Sequence, residues 1–443
     1  MNESEKYLTV KQEIPFNIND NYILDIRTNN VTSSTHGFHK YPAKFIPQIP
    51  KWAILKYLKV DSKKCILDPF CGSGTTLVEG VLAGHNVIGI DIDPLSILIS
   101  KVKTTPLKKI VFLDVYEWVK NIIQSKNSPN DFNPECLNIR HWFTDENIDK
   151  LSKIRTTIDK ISTEFKNKDG INDVQDFFYV AFSSIIRRVS NADNESQKTY
   201  VSHTKIKIPE EPIELFFNQL NLYKERILKF SENVNSDLTT KLYCEDSSRP
   251  FIIKRGDFDI DIVITSPPYI KAIDYIYNQM AELFWIGDLF ELQTQDRQNI
   301  QKKKYVGSKH FHKKDYEHFS PFDSLTQIQN LDKKLQDVLI NDKKNGHKHS
   351  YLTHKYFNDM EKHFQKMSDL LKKKKHYIMV VGDSTVSDVF FNTADILTKI
   401  ASRNGFYLTN RWAYKIKNRY MRFDRKGRGG IIKLDWVLDF VKT

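Results

Sequence analysis

Cysteine is scarce: four residues in 443, at Cys65, Cys71, Cys136 and Cys244, with no CxxC pair. A disulfide scaffold and a structural zinc site are therefore not expected, and a reducing compartment suits the chain. No run of about 18 apolar residues occurs, so no membrane-spanning helix is expected. The opening MNESEKYLTVKQEIPF is acidic and polar where a signal peptide needs an apolar core, which points to the cytoplasm. Glycine is limited to 16 residues, and none of them builds G-x-G-x-x-G or the G-K-[ST] of a phosphate loop. Dinucleotides and ATP are poor fits on that ground.

Hydrophobic residues make up 40% and charged residues 28%, which excludes wholesale disorder. The net charge of +12 suits a polyanionic partner or a solvated basic surface, and alone does not separate the two. The length allows two to four units, or one large core with insertions. Residues 1–35 read as an irregular lead-in. The expected fold class is α/β, with a core that starts over 36–106, resumes over 236–285 and closes over 361–443. Two segments interrupt it. Residues 107–235 are helical in period, including an amphipathic stretch that ends in Arg187 and Arg188. Residues 286–360 are rich in Lys and His. Strands are expected at 65–67, 86–90, 242–244, 260–265, 377–381, 406–408 and 436–440. The run Lys372 to Lys375 reads as the end of a helix, where cations suit the dipole.

The first informative stretch is ILDPFCGSGTTLVEG followed by VIGIDID. A short apolar strand enters the loop Asp68, Pro69, Phe70, Cys71, Gly72, Ser73, Gly74. A helix follows from Thr75 and Thr76, and a second strand ends at Asp91 and Ile92. Glycine at 72 and 74 lets backbone pass close to a ligand. Asp91 lies 23 residues after Asp68, near the spacing at which a carboxylate holds ribose hydroxyls in nucleotide-binding βαβ units. No basic residue stands in the loop, so an adenosine ligand without phosphate fits best.

The second stretch is Asp261-Ile-Val-Ile-Thr-Ser266-Pro267-Pro268-Tyr269. A buried strand delivers a turn stiffened by two prolines at its carboxyl end. The proline carbonyls and the Ser266 hydroxyl accept hydrogen bonds, and Tyr269 offers a flat face. A planar nucleobase with an exocyclic amine suits such a site. His36 and His39, near the turn at Pro42, read as solvated polar residues. His310, His312, His347 and His349 show no ligand spacing, so no metal is expected.

Together, DPFCGSGTT and TSPPY resemble the S-adenosylmethionine-dependent amino-methyltransferases of DNA. The SPPY form resembles the N4-cytosine branch, since N6-adenine enzymes usually carry Asp at position 266. HKYPAKFIPQIP is similar to the segment of that family that packs over the methionine end of the cofactor. The resemblance covers the core strands and loops but not the two insertions. It implies a Rossmann-like sheet with helices on both faces, and S-adenosylmethionine as cofactor. Pro42, Ala43, Lys44 and Phe45 would line the methionine end. Residues 68–76 would bracket the cofactor, Asp91 and Ile92 would meet the ribose, and Asp246 and Ser247 the adenine.

Ser266, Pro267, Pro268 and Tyr269 would take the target base after it leaves the duplex. Double-stranded DNA is the implied partner, and a cognate restriction endonuclease a further one. Candidate DNA contacts are Arg187, Arg188, Lys302, Lys303, Lys304, Lys309 and Lys313. A C-terminal group adds Arg411, Lys415, Lys417, Arg419, Arg422, Arg425 and Arg428, interleaved with Tyr414, Tyr420 and Phe423. No Pro-Cys pair exists, so the covalent route to carbon-5 methylation lacks its nucleophile. Methylation of adenine N6, of RNA guanine N2, and a non-catalytic nucleic-acid-binding role stay open at this point.

Overall fold

The computed structural model describes residues 7–443 apart from 12, 28–31, 43, 59–61, 137, 195–197, 249–252, 255, 271–273, 325 and 417–431. Its strands are β1 (Tyr7–Val10), β2 (Ile23–Ile26), β3 (Cys65–Asp68), β4 (Asn86–Asp91), β5 (Thr240–Cys244), β6 (Ile262–Thr265), β7 (His376–Gly382), β8 (Ser384–Val386), β9 (Val389–Phe391), β10 (Phe406–Lys415) and β11 (Leu434–Lys442). Nine of them form one sheet in the order β1-β2-β10-β11-β7-β6-β3-β4-β5, and β8 pairs with β9. Among the described residues of the nine-stranded sheet, only β11 runs antiparallel to both its neighbours, β10 and β7. Strand β6 is buried along its whole length, as a strand covered on both faces must be.

From β3 the chain steps one way to β4 and β5, then returns on the other side of β3 as β6 and β7. The order therefore reverses between β3 and β6. Loops at the carboxyl ends of strands flanking such a reversal form the crevice where α/β sheets bind ligands. The loop after β3 and the turn after β6 are the two stretches singled out in the sequence.

Helices cover both faces. Helices α1 (Gln48–Tyr57), α2 (Thr75–Leu82) and α3 (Pro94–Thr104) share one core with the helices of 107–235, chiefly Lys109–Gln124, Asp145–Asp159, Ile171–Val189 and Pro212–Asn233. The opposite face is covered by Gly346–Leu370 and Thr393–Arg403, where Phe357, Met360 and Phe364 pack with Tyr377 and Phe440. Both interrupting segments thus extend the sheet's own cores. Among the described residues no helix is long and apolar enough to cross a membrane.

The lead-in differs from expectation. It carries β1 and β2, and β2 pairs in parallel with β10 through Ala413↔Ile23 and Tyr414↔Leu24. Each strand is four residues long, and β10, which joins the pair to the sheet, lies nearly the whole chain away, so no local period reveals them. Strand β10 also outruns its expected three residues, because a register irregularity between Leu408 and Asn410 breaks the alternation that marks a strand. His36 and His39 are corrected as well: both are buried rather than solvated. The His36 ring meets Glu79 at 2.7 Å, and the His39 amide donates to the Tyr223 hydroxyl at 2.7 Å. Between them Phe38 stacks on Tyr223 and meets Phe177 edge-on. The helices of 107–235 therefore clamp the segment that precedes HKYPAKF.

Candidate active site

The loop after β3 is held from below and behind. Asp68 Oδ1 accepts from the Phe70 amide at 3.1 Å and from Thr265 Oγ1 at 2.6 Å, tying β3 to β6. Thr76 Oγ1 donates to the Ile264 carbonyl at 3.3 Å. The Gly72 amide donates to Asp91 Oδ2 at 2.8 Å. The Gly72 carbonyl accepts from Ser100 Oγ at 2.7 Å, and the Ser73 carbonyl from the buried Lys103 ammonium at 2.9 Å. Gly72 and Gly74 both have positive φ, and a Cβ on Gly74 would lie 2.8 Å from Ser100 Oγ. Glycine is required there for conformation and for room alike.

Above the loop lies a cleft of about 680 Å³, open mouth included. Tyr41, Lys44 and Phe45 form one side, and Pro69 to Ser73 with Thr75 form the floor. Asp91, Ile92, Glu245, Asp246 and Ser247 form the acidic wall, and Ser266 and Pro268 close the far end. Tyr275, Tyr305 and Val306 complete it. Thus the structure gathers most of the expected cofactor residues. Pro42, Asp68, Gly74 and Thr76 do not line the cleft, and the last three shape the loop instead. Ala43 lies outside the described residues.

Tyr41, Glu245, Tyr275, Tyr305 and Val306 are the lining residues that sequence reasoning missed. Tyr41 lies inside HKYPAKFIPQIP, one residue before the first position given a role there, and Glu245 lies one before Asp246. Tyr305 and Val306 are hidden behind a lysine run. The rings of Tyr41, Tyr275 and Tyr305 form a near-parallel row, with centroids 5.7 and 5.9 Å apart.

Burial, followed by the charge of Asp93, raises the Asp91 carboxyl to about 7, against hydrogen bonds from the Asp93 and Gly72 amides. Burial raises Asp68 to about 6, against its hydrogen bonds from Thr265, Thr76 and Phe70. Each Asp91 oxygen already serves one amide, and each keeps a further lone pair for a hydroxyl donor. Ser73 and Ser247 line the cleft, and among the described residues their buried hydroxyls have no hydrogen-bond partner. A water, an ion or a polar ligand could complete their bonding.

At the far end, Ser266 Oγ donates to the Val380 carbonyl at 3.1 Å. The flat face expected from Tyr269 is placed elsewhere. Its hydroxyl donates to the buried Asp435 at 2.5 Å, its ring lies against Gly382, and it does not line the cleft. Pro267 is buried behind Pro268. A carboxylate on β11, 166 residues away, draws the phenol off, and nothing near Tyr269 in sequence signals that.

Comparison with known proteins bears directly on this arrangement. Residues 3–101 match the family model described as DNA methylase. The chain is 28% identical over 441 residues to the type II methyltransferase M.MvaI of Kocuria varians, covering 95% of this chain and 92% of the relative. It is 28% identical over 403 residues to the type II methyltransferase M.MjaII of Methanocaldococcus jannaschii, covering 72% and 74%. These likenesses support an S-adenosylmethionine-dependent DNA methyltransferase of the N4/N6 type.

The methyltransferase's cleft fits its cofactor on physical grounds. Asp91, Glu245 and Asp246 outnumber the single Lys44, which suits a ligand bearing a sulfonium charge. The Ser73 and Ser247 hydroxyls could bond polar groups of such a ligand. Asp91 would hold the ribose, and the loop at 70–73 would lie along the cofactor.

The basic residues expected at DNA are scattered. Arg187 donates to the carbonyls of Asp193 and Lys198, and so braces its own loop. Arg188 forms a two-pronged ion pair with Glu210. Arg411 pairs with Asp395, Lys415 lies over the Tyr7 ring, and Tyr414 is buried. Lys303 meets His312, and Lys302 is buried beside the cleft. The run Lys372 to Lys375, read as a helix end rather than a DNA contact, follows the helix Gly346–Leu370, and its Lys372 and Lys375 pair with Asp259 and Asp261. Lys417, Arg419, Tyr420, Arg422, Phe423, Arg425 and Arg428 lie outside the described residues.

Proposed function

We propose that the methyltransferase modifies the exocyclic N4 amine of a cytosine turned out of duplex DNA. The observation that carries this reading is the state of Ser266. Its hydroxyl hydrogen is committed to the Val380 carbonyl, while the side chain faces the cleft that the cofactor loop floors. A hydroxyl so committed offers only lone pairs forward. An amine N–H is what such an oxygen can accept.

When bound, S-adenosylmethionine supplies a methyl group on a sulfonium that a nitrogen lone pair can displace. The protein's part is to make that lone pair available. Cytosine's amine is flat because its lone pair is shared with the ring. Ser266 Oγ would take one amine hydrogen and the Pro267 carbonyl the other. Two fixed acceptors pull the nitrogen toward a pyramidal shape and free the lone pair on its open side. Such a transfer depends on positioning and fixed dipoles more than on an acid–base pair. Serine in the SPPY turn, where adenine-directed relatives usually carry Asp, favours cytosine.

Ser266→Ala tests the assignment. Turnover on DNA should fall by about a hundredfold, the scale set by losing one preorganised hydrogen bond in other active sites. Cofactor affinity and melting temperature should hold, since no loop contact is touched. Wild-type turnover in a folded Ser266→Ala protein removes Ser266 from the chemistry.

A further inference from the structure

A second, smaller cleft adjoins the first, enclosing about 260 Å³ with its mouth. Tyr275 and Tyr305 line both, so their stacked rings form the partition. Lys302, Ser308, Lys309 and His310 line the small cleft together with Asp274. That carboxylate is spent: the His310 imidazole pairs with it, and the Tyr277 amide donates to it at 3.0 Å. Three segments bring cations to this place. Burial, then Asp274 in opposition, then the nearby charges of Lys198 and Lys348, act on the Lys309 ammonium, and the balance holds it below its ordinary range. Lys198 comes from the first insertion, and Lys348 from the helix Gly346–Leu370. Among the described residues, Lys302, Lys309 and Lys348 have no carboxylate within ion-pair distance.

The contrast with the first insertion is informative. Residues 107–235 hold nineteen Lys and Arg against nineteen Asp and Glu. Many of these pair with one another, as Lys150 does with Glu146 and Glu211. Residues 302–319 hold six lysines against two acids. Gathering like charges costs free energy unless an anion joins them. The cluster stands one aromatic partition away from the site where the target base would be modified.

We propose that the small cleft is a phosphate subsite in which Lys302 and Lys309, with the charge of Lys348 nearby, take a DNA phosphodiester flanking the extruded nucleotide. This rests on the DNA methyltransferase reading and deepens it. It makes the second insertion, not the first, the element that meets DNA beside the chemistry. The Tyr275–Tyr305 partition then sits between base and backbone.

The test compares wild type with Lys309→Gln/Lys348→Gln and with a charge-matched control, Lys126→Gln/Lys229→Gln. Tritiated methyl incorporation into unmethylated plasmid DNA is measured over DNA and salt concentration, with calorimetry of cofactor binding alongside. The cleft variant should raise the KM for DNA at least tenfold and keep cofactor affinity. Its dependence of log KM on log salt should flatten by about 0.9 per lost phosphate contact, and the control's should not. A KM and slope matching the control overturn the subsite. Weakened cofactor binding also overturns it, because the lysines would then serve the cofactor's carboxylate. If the double variant melts early, Lys309→Gln alone carries the comparison. Wild type that methylates no DNA overturns the methyltransferase reading and the subsite together, whereas an active wild type isolates the subsite.

Discussion

Asp91 shows how one residue can be legible in role and illegible in state. Its spacing from Asp68 marks it as a candidate ribose partner, but its carboxyl rises to about 7 only because folding buries it near Asp93. Hydroxyl donors favour the ionised carboxylate. Cofactor binding should therefore strengthen as pH rises through about 7, where free Asp91 loses its proton. Between pH 6 and pH 8 the ionised fraction of one such group changes about tenfold, and calorimetry should show affinity rising by up to that factor. Asp91→Asn should bind weakly and flatten the profile. A wild-type affinity independent of pH, or an Asn variant with the wild-type profile, contradicts the assignment. Tyr41, Tyr275 and Tyr305 were not legible, because aromatic residues at such positions read equally well as core. Only folding reveals that the three rings form one row along the cleft.

Elements were legible where one local pattern carries the whole signal. Strand β3, its loop, α2 and β4 emerge from apolar runs and two glycines within 27 residues. The loop's rigidity was not visible, because it comes from Ser100 and Lys103 on α3 and from Thr265 on β6. Gly74→Ala probes that packing. Left-handed backbone costs an alanine about 1–2 kcal/mol, and the new Cβ would press on Ser100, whose hydroxyl fixes the Gly72 carbonyl. We expect a lower melting temperature and a cofactor affinity reduced by more than tenfold. A variant that binds cofactor like wild type would show that the loop tolerates another shape. Strands β1 and β2 stayed invisible because neither is a continuous buried run like the equally short β6.

At the scale of the whole molecule, the sheet brings two distant stretches of sequence to one crevice. The loop at 69–74 and the turn at 266–269 are joined by the hydrogen bond from Thr265 to Asp68. The resemblance carried by the two motifs implied that they would meet. It did not foresee how the insertions divide their labour. The first is electrically neutral, packs on the core and clamps Phe38 through Phe177 and Tyr223. The second reaches the cleft through Tyr305 and Val306 and carries its lysines beside it. Composition reports only the net charge of the whole chain, +12. The central claim is that this crevice methylates the N4 amine of cytosine in DNA. The most direct test is to incubate unmethylated DNA with the protein and S-adenosylmethionine, digest it to nucleosides, and weigh the products by mass spectrometry. N4-methyl-2′-deoxycytidine is the nucleoside expected to be gained. N6-methyladenine in its place, or no methylated nucleoside at all, would contradict the claim.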